Sequence, residues 1–149
     1  MKLRELMTER VITAARDESA LEVARTMRDR GVGSVVVTDS EGEPAGIVTD
    51  RDLALRVLAE DRVAADERIG SCATTPLITG EPDMGLEEAA ALMVRHRVRR
   101  LPVLEGGRLA GIVTLDDIAV RTGNLEVAQR MTAEVIEGAL PDFFFHERG

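Results

Sequence analysis

GIVTDRDL, residues 46–53, returns as GIVTLDDI at residues 111–118. Glycine, threonine and the second aspartate keep their places at a displacement of 111 − 46 = 65, as do the isoleucine and valine between glycine and threonine, while the other three positions drift. Upstream the displacement becomes 78 − 12 = 66: Ile12 and Thr13 match Ile78 and Thr79, and Asp17 matches Asp83. Ala24, Met27, Val32 and Val37 continue the series to Ala90, Met93, Val98 and Val103. The one-residue slip falls between Asp39 and Gly46, in turn-like sequence where a deletion costs least. The chain is therefore an internal repeat.

Each copy predicts the same order of elements. A short strand comes first (VIT, residues 11–13; LIT, residues 77–79), then an amphipathic helix. In the second copy Leu86, Ala89, Ala90, Met93 and Val94 recur at helical spacing; in the first, Ala20, Val23, Ala24 and Met27 hold the equivalent face. Two β-branched strands joined by a turn follow, VGSVVVTD to AGIVT and VRRLPVLE to AGIVT. A second helix begins just after Thr49 and Thr114. The expected unit is strand-helix-strand-strand-helix, an α/β (α+β) arrangement. The boundaries on this reading are 1–66, 67–122 and a remainder at 123–149, with a further helix over 124–140 and a run of Phe143, Phe144 and Phe145. One copy alone would bury too little surface to be secure, which two copies remedy.

Composition narrows the function. Of 149 residues, 44 % are hydrophobic, so a packed interior is expected, but the aromatics are three Phe only and the core must be aliphatic. A formal charge of −8 argues against binding nucleic acid or an anionic membrane. One cysteine, Cys72, excludes an internal disulfide, and no stretch approaches the roughly 18 apolar residues of a membrane span. The absence of a leader makes the cytoplasm the expected location. Cys72, His96 and His146 lack metal-ligand spacing, and no nucleophile–base pair or glycine-rich phosphate loop is present, so neither a metal nor an enzyme is expected.

A glycine, two apolar residues and threonine, with aspartate three positions after the threonine and the whole phrase repeated in register, resembles the CBS domain. Two copies resemble a CBS pair, or Bateman module, over roughly residues 1–122. The resemblance implies repeats packed about a pseudo-twofold axis, leaving clefts that in many members take AMP, ADP, ATP or S-adenosylmethionine. It implies a regulatory role, a homodimer formed through the second helices, and an unknown protein effector. The alternative is a structural or interaction protein with empty clefts.

Thr49 and Asp52, like Thr114 and Asp117, sit where a helix begins. Helix capping accounts well for threonine; aspartate is shorter than the usual partner in a reciprocal box, which leaves its carboxylate for the hydroxyls of a ribose. Thr49 and the free amides nearby could hold a phosphate. Arg51 could face a phosphate in the first copy, where the second has Asp116, forming an acidic pair with Asp117. Arg99 and Arg100 occupy the places of Gly33 and Ser34, and the resemblance makes them the leading phosphate ligands, with Gly33 and Ser34 leaving room for a base. Ile12, Thr13, Ile78 and Thr79 match positions that border adenine in the family. Gly46 and Gly111 are places where a side chain would crowd a cleft or a neighbouring strand.

Overall fold

In a computed structural model of the protein, residues 1–123 are described together with Glu126, Gln129, Arg130 and Ala133. The expected closing helix falls largely, and the Phe143–Phe145 run entirely, outside the described residues. In chain order the elements are α1 (Leu3–Leu6), β1 (Thr13–Ala15), α2 (Ala20–Arg30), β2 (Ser34–Thr38), β3 (Pro44–Thr49), α3 (Asp50–Leu53), β4 (Arg100–Glu105) and β5 (Arg108–Thr114), with α4 (Leu86–His96) ahead of β4 and α5 (Leu115–Thr122) after β5. A π-helical turn, Ala54–Leu58, continues α3, and a 3₁₀ turn spans Ile69–Ser71.

The chain divides into two packing units composed differently from the sequence repeats. One unit takes Met1–Glu9 with Ile78–Glu105 and the described residues from Ala110; the other takes Arg10–Leu77, with Gly106–Leu109. Here they are called the later and the earlier unit. The leading segment of each sequence copy thus packs in the unit of the other copy.

In the earlier unit β1 runs parallel to β2, which pairs antiparallel with β3. Thr38 lies opposite Pro44 and Val37 opposite Gly46, so Ala45 is an extra residue, a bulge within the interval where the copies slip. α2 starts on Ser19, whose hydroxyl accepts the Glu22 amide, and buries Ala20, Val23 and Met27. These pack with Ala14, Val35, Val37, Val48, Val57, Ile69 and Cys72. The interior is aliphatic, as the composition requires.

β4 pairs with β5 across Gly106 and Gly107, whose φ values of 59° and 80° suit a two-residue hairpin turn, and residues of both strands belong to the later unit. Its core joins Leu3, Leu6 and Met7 to Ala89, Met93, Leu101, Val103, Val113, Leu115 and Ile118. The strand expected at LIT is absent: Ile78 and Thr79 are irregular, and only Gly80 forms a bridge, parallel to Val103. Proline explains this. In the earlier unit the Val36 amide donates to the Ile12 carbonyl at 3.0 Å. The residue matching Val36 is Pro102 (102 − 36 = 66), which has no amide proton to offer Ile78.

Candidate functional site

Both copies build the same structure where the second helix begins. The Thr49 amide donates to Asp52 Oδ2 at 2.9 Å and the Asp52 amide donates to Thr49 Oγ1 at 3.1 Å. Thr114 and Asp117 repeat the exchange at 2.9 and 3.1 Å. Aspartate completes the reciprocal cap despite its length, so capping accounts for the aspartate as fully as for the threonine, where the sequence alone favours the threonine. In each case Oδ2 accepts an amide, while the carboxylate keeps further lone pairs.

A second matched bond fixes what lies over the helix start. The Asp50 amide donates to the Gly33 carbonyl, and the Leu115 amide to the Arg99 carbonyl, both at 3.1 Å. In the earlier unit this gathers Gly33, Ser34, Thr49 and Asp52 at the amino ends of β1 and β2, since Ser34 pairs with Thr49 and the Ile12 carbonyl holds Val36. Thr13 lies opposite Val36. The Arg51 side chain is exposed and unpaired among the described residues.

In the later unit Arg99, Arg100, Thr114, Leu115 and Asp116 line a cavity of about 160 Å³. The two arginines thus share a wall with the α5 start, where the helix dipole favours negative charge although the Leu115 and Asp117 amides are already engaged. The presumed acidic pair is divided: Asp116 faces this cavity, and Asp117 is engaged by the cap. Ile78 and Thr79 do not line it; the Gly80–Val103 bridge sets them beside Leu101 and Pro102.

Two residues not singled out from sequence join these sites to their surroundings. Arg56 donates from Nη1 to the Cys72 carbonyl at 2.9 Å and places Nη2 3.8 Å from Asp52 Oδ1. Arg121 (121 − 56 = 65) donates to the Met7 carbonyl at 3.2 Å. Their recurrence four residues after each aspartate was the available signal. Cys72 is buried, and burial, reinforced by the charge of Glu67, pushes its thiol above the ordinary range. Among the described residues no group of three His, Cys, Asp or Glu is placed to hold a metal, and no helix is long and apolar enough to cross a membrane.

Residues 3–59 and 69–121 each match the CBS domain family. The chain is 36 % identical to the CBS domain-containing protein YhcV of Bacillus subtilis, over 85 % of this chain and 89 % of that one. It is 42 % identical to the uncharacterized protein MK0525 of Methanopyrus kandleri over 72 % of this chain, but spans only 56 % of that longer relative. Among solved structures, the hexameric CBS-CP12 protein from bloom-forming cyanobacteria superimposes with a TM-score of 0.76 at 28 % identity, covering 85 % of this chain and 73 % of that one.

Proposed function

The chain belongs to the CBS domain family, as a tandem pair of a kind that generally serves as a regulatory ligand-binding module, and on that premise we propose that it binds an adenosyl ligand such as AMP, ADP, ATP or S-adenosylmethionine. The observation that carries this reading is the cavity in which Arg99 and Arg100 meet the start of α5. Guanidinium groups beside the positive end of a helix dipole suit a phosphate, and a free lone pair on Asp117 remains for a ribose hydroxyl. The earlier unit offers the same cap with small residues, Gly33 and Ser34, in place of the arginines. That arrangement suits the base or ribose better than the phosphates. Binding would favour one arrangement of the α5 start over others and so alter the surface offered to an effector. No reaction is required.

Melting the protein against each of the four compounds tests the reading. A ligand at a hundredfold excess over its dissociation constant is expected to stabilise by about 2.7 kcal/mol. For a phosphate-bearing ligand, Arg99→Ala with Arg100→Ala is expected to remove the shift while leaving the unliganded melt in place. No shift with any of the four would sink the reading.

A second observation favours self-association. Leu58 is 79 % and Val120 80 % exposed, both on the second helices, with Leu55 also uncovered. We propose a homodimer that covers these side chains, which burial would stabilise. Leu58→Asp with Val120→Asp is expected to yield monomers in sedimentation equilibrium, and an unchanged mass would exclude this surface. Any effector is proposed to read the assembled form.

A further inference from the structure

The amino ends of β1 and β2 hold the candidate site of the earlier unit; beyond their carboxyl ends lies a recess of about 600 Å³ lined by Ala15, Arg16, Asp17, Asp39, Ser40 and Arg68. The repeat provides an internal control for it. A displacement of 66 relates Arg68 to Lys2 (68 − 2), Gly70 to Arg4 (70 − 4), Pro82 to Arg16 (82 − 16), Asp83 to Asp17 (83 − 17) and Glu105 to Asp39 (105 − 39). The backbone agrees at both places. The Gly70 amide donates to the Arg16 carbonyl at 2.9 Å, as the Arg4 amide does to the Pro82 carbonyl at 2.9 Å. The Ile69 amide reaches the Glu18 carbonyl at 2.8 Å, and the Leu3 amide the Met84 carbonyl at 2.9 Å.

The side chains differ in kind. In the later unit the charges satisfy one another: Arg4 lies 3.1 Å from Glu105 and 3.6 Å from Asp83, and Lys2 lies 3.9 Å from Asp83. In the earlier unit the cation of the helical turn is missing, because Arg4 is replaced by Gly70. A Cβ on Gly70 would stand 3.0 Å from Arg16 Cβ and 3.1 Å from its carbonyl oxygen, so this place stays without a side chain. The cation sits instead at the end of β1, as Arg16. Among the described residues the side chains of Arg16, Arg68 and Asp17 make no ion pair or hydrogen bond. Asp39 is committed: its Oδ1 accepts the amides of Glu41 and Glu43 at 2.9 and 3.0 Å and so holds the hairpin turn. What fills with ion pairs in one copy stands open in the other, with two free guanidinium groups.

We propose that this recess is a second binding site, separate from the adenosyl site, for a small molecule carrying a phosphate or carboxylate group. Arg16 and Arg68 hold the oxyanion, for which the planar guanidinium is the best-matched side chain. Asp17 and Ser40 meet a hydroxyl or ammonium group beside it. The volume suits a metabolite, and the neighbouring aspartates and the overall charge of −8 disfavour a polyanion.

Isotope-labelled full-length protein, titrated separately with inorganic phosphate, sn-glycerol 3-phosphate and L-serine, gives the test. At least one is expected to cause saturable amide shifts at residues 15–17, 39–40 and 68. Arg16→Gln and Arg68→Gln, both at exposed positions, are expected to keep the wild-type melting temperature and weaken binding at least about tenfold, the loss of one charge-assisted contact. A response to the phosphates but not to serine identifies a phosphate ligand, and the reverse identifies a carboxylate. Absence of saturable shifts with all three, shifts confined to other residues, or unchanged affinity in both glutamine variants overturns the proposal. Arg100→Ala is expected to leave these titrations unaltered, which separates this site from the adenosyl site.

Discussion

Removal of residues 1–9 is expected to unfold the later unit, whose remaining residues begin almost seventy positions further along the chain. Leu3, Leu6 and Met7 are 0 %, 1 % and 8 % exposed and belong to the same core as Leu101 and Ile118. Burying such a side chain contributes about 1.5–3 kcal/mol, so losing three removes roughly 5–9 kcal/mol. A small domain has about 5–15 kcal/mol in all. The segment is also bound through its backbone. Leu3 donates to the Met84 carbonyl at 2.9 Å, Arg4 to the Pro82 carbonyl at 2.9 Å, and Thr8 exchanges two hydrogen bonds with Ile112 at 2.9 and 3.0 Å. The truncated protein is expected to lose amide dispersion for residues 78–122. Leu3→Ala, a milder variant that still folds, should cost about 2–5 kcal/mol in urea titration. A truncation that retained native dispersion in that region would show the segment to be dispensable.

That dependence could not be read from periodicity, because it joins residues distant along the chain. The displacement of 66 does continue upstream of Ile12: Lys2 matches Arg68, Leu3 matches Ile69 and Leu6 matches Cys72. Only polarity persists across those pairs, and a few matched apolar residues are too common to establish a repeat. The helices were plain by contrast, since α2 presents buried residues at three- and four-residue intervals and α4 at a four-residue interval. Pro102 was visible, yet its meaning depended on a parallel neighbour: a missing amide matters only where Val36 shows the bond that should have formed.

The candidate site was read in part for the same reason. Its repeated residues were evident because threonine and aspartate recur three apart, and the structure gives both copies the same cap. Which lone pair of aspartate the cap takes was beyond sequence reasoning, being a matter of ångströms. The consequence for experiment is direct. Asp52→Ala and Asp117→Ala remove a helix cap together with any ribose contact, so Arg99 and Arg100, whose side chains make no bond within the cap, are the cleaner probes of binding.

Gly111→Val is expected to damage the later unit as a single substitution. A Cβ at position 111 would lie 2.8 Å from Met7 Sδ, 2.9 Å from Met7 Cγ and 2.9 Å from the Thr8 carbonyl oxygen. Methionine can move, but Met7 is packed in the core, and the Thr8 carbonyl is held by the Ile112 amide. Overpacking costs about 1–3 kcal/mol, and the two Thr8–Ile112 bonds that must open add about 0.5–1.5 kcal/mol each. The expected loss is therefore roughly 2–6 kcal/mol, measured as a lower urea midpoint. A loss below about 1 kcal/mol would mean that the segment yields without breaking the bridge, since overpacking alone should exceed that. Gly46→Val makes the comparison within one molecule. There the added carbon would meet Thr75 Cγ2 at 2.9 Å and the Thr74 carbonyl oxygen at 3.0 Å, where Ile47 and Thr74 exchange the corresponding bonds. Thr75 is exposed and can rotate away, so the penalty should be smaller than at Gly111. Both glycines are thus required by a segment bridged to the strand that leads into the threonine cap. The first letter of the repeated phrase preserves the packing on which its threonine and aspartate depend.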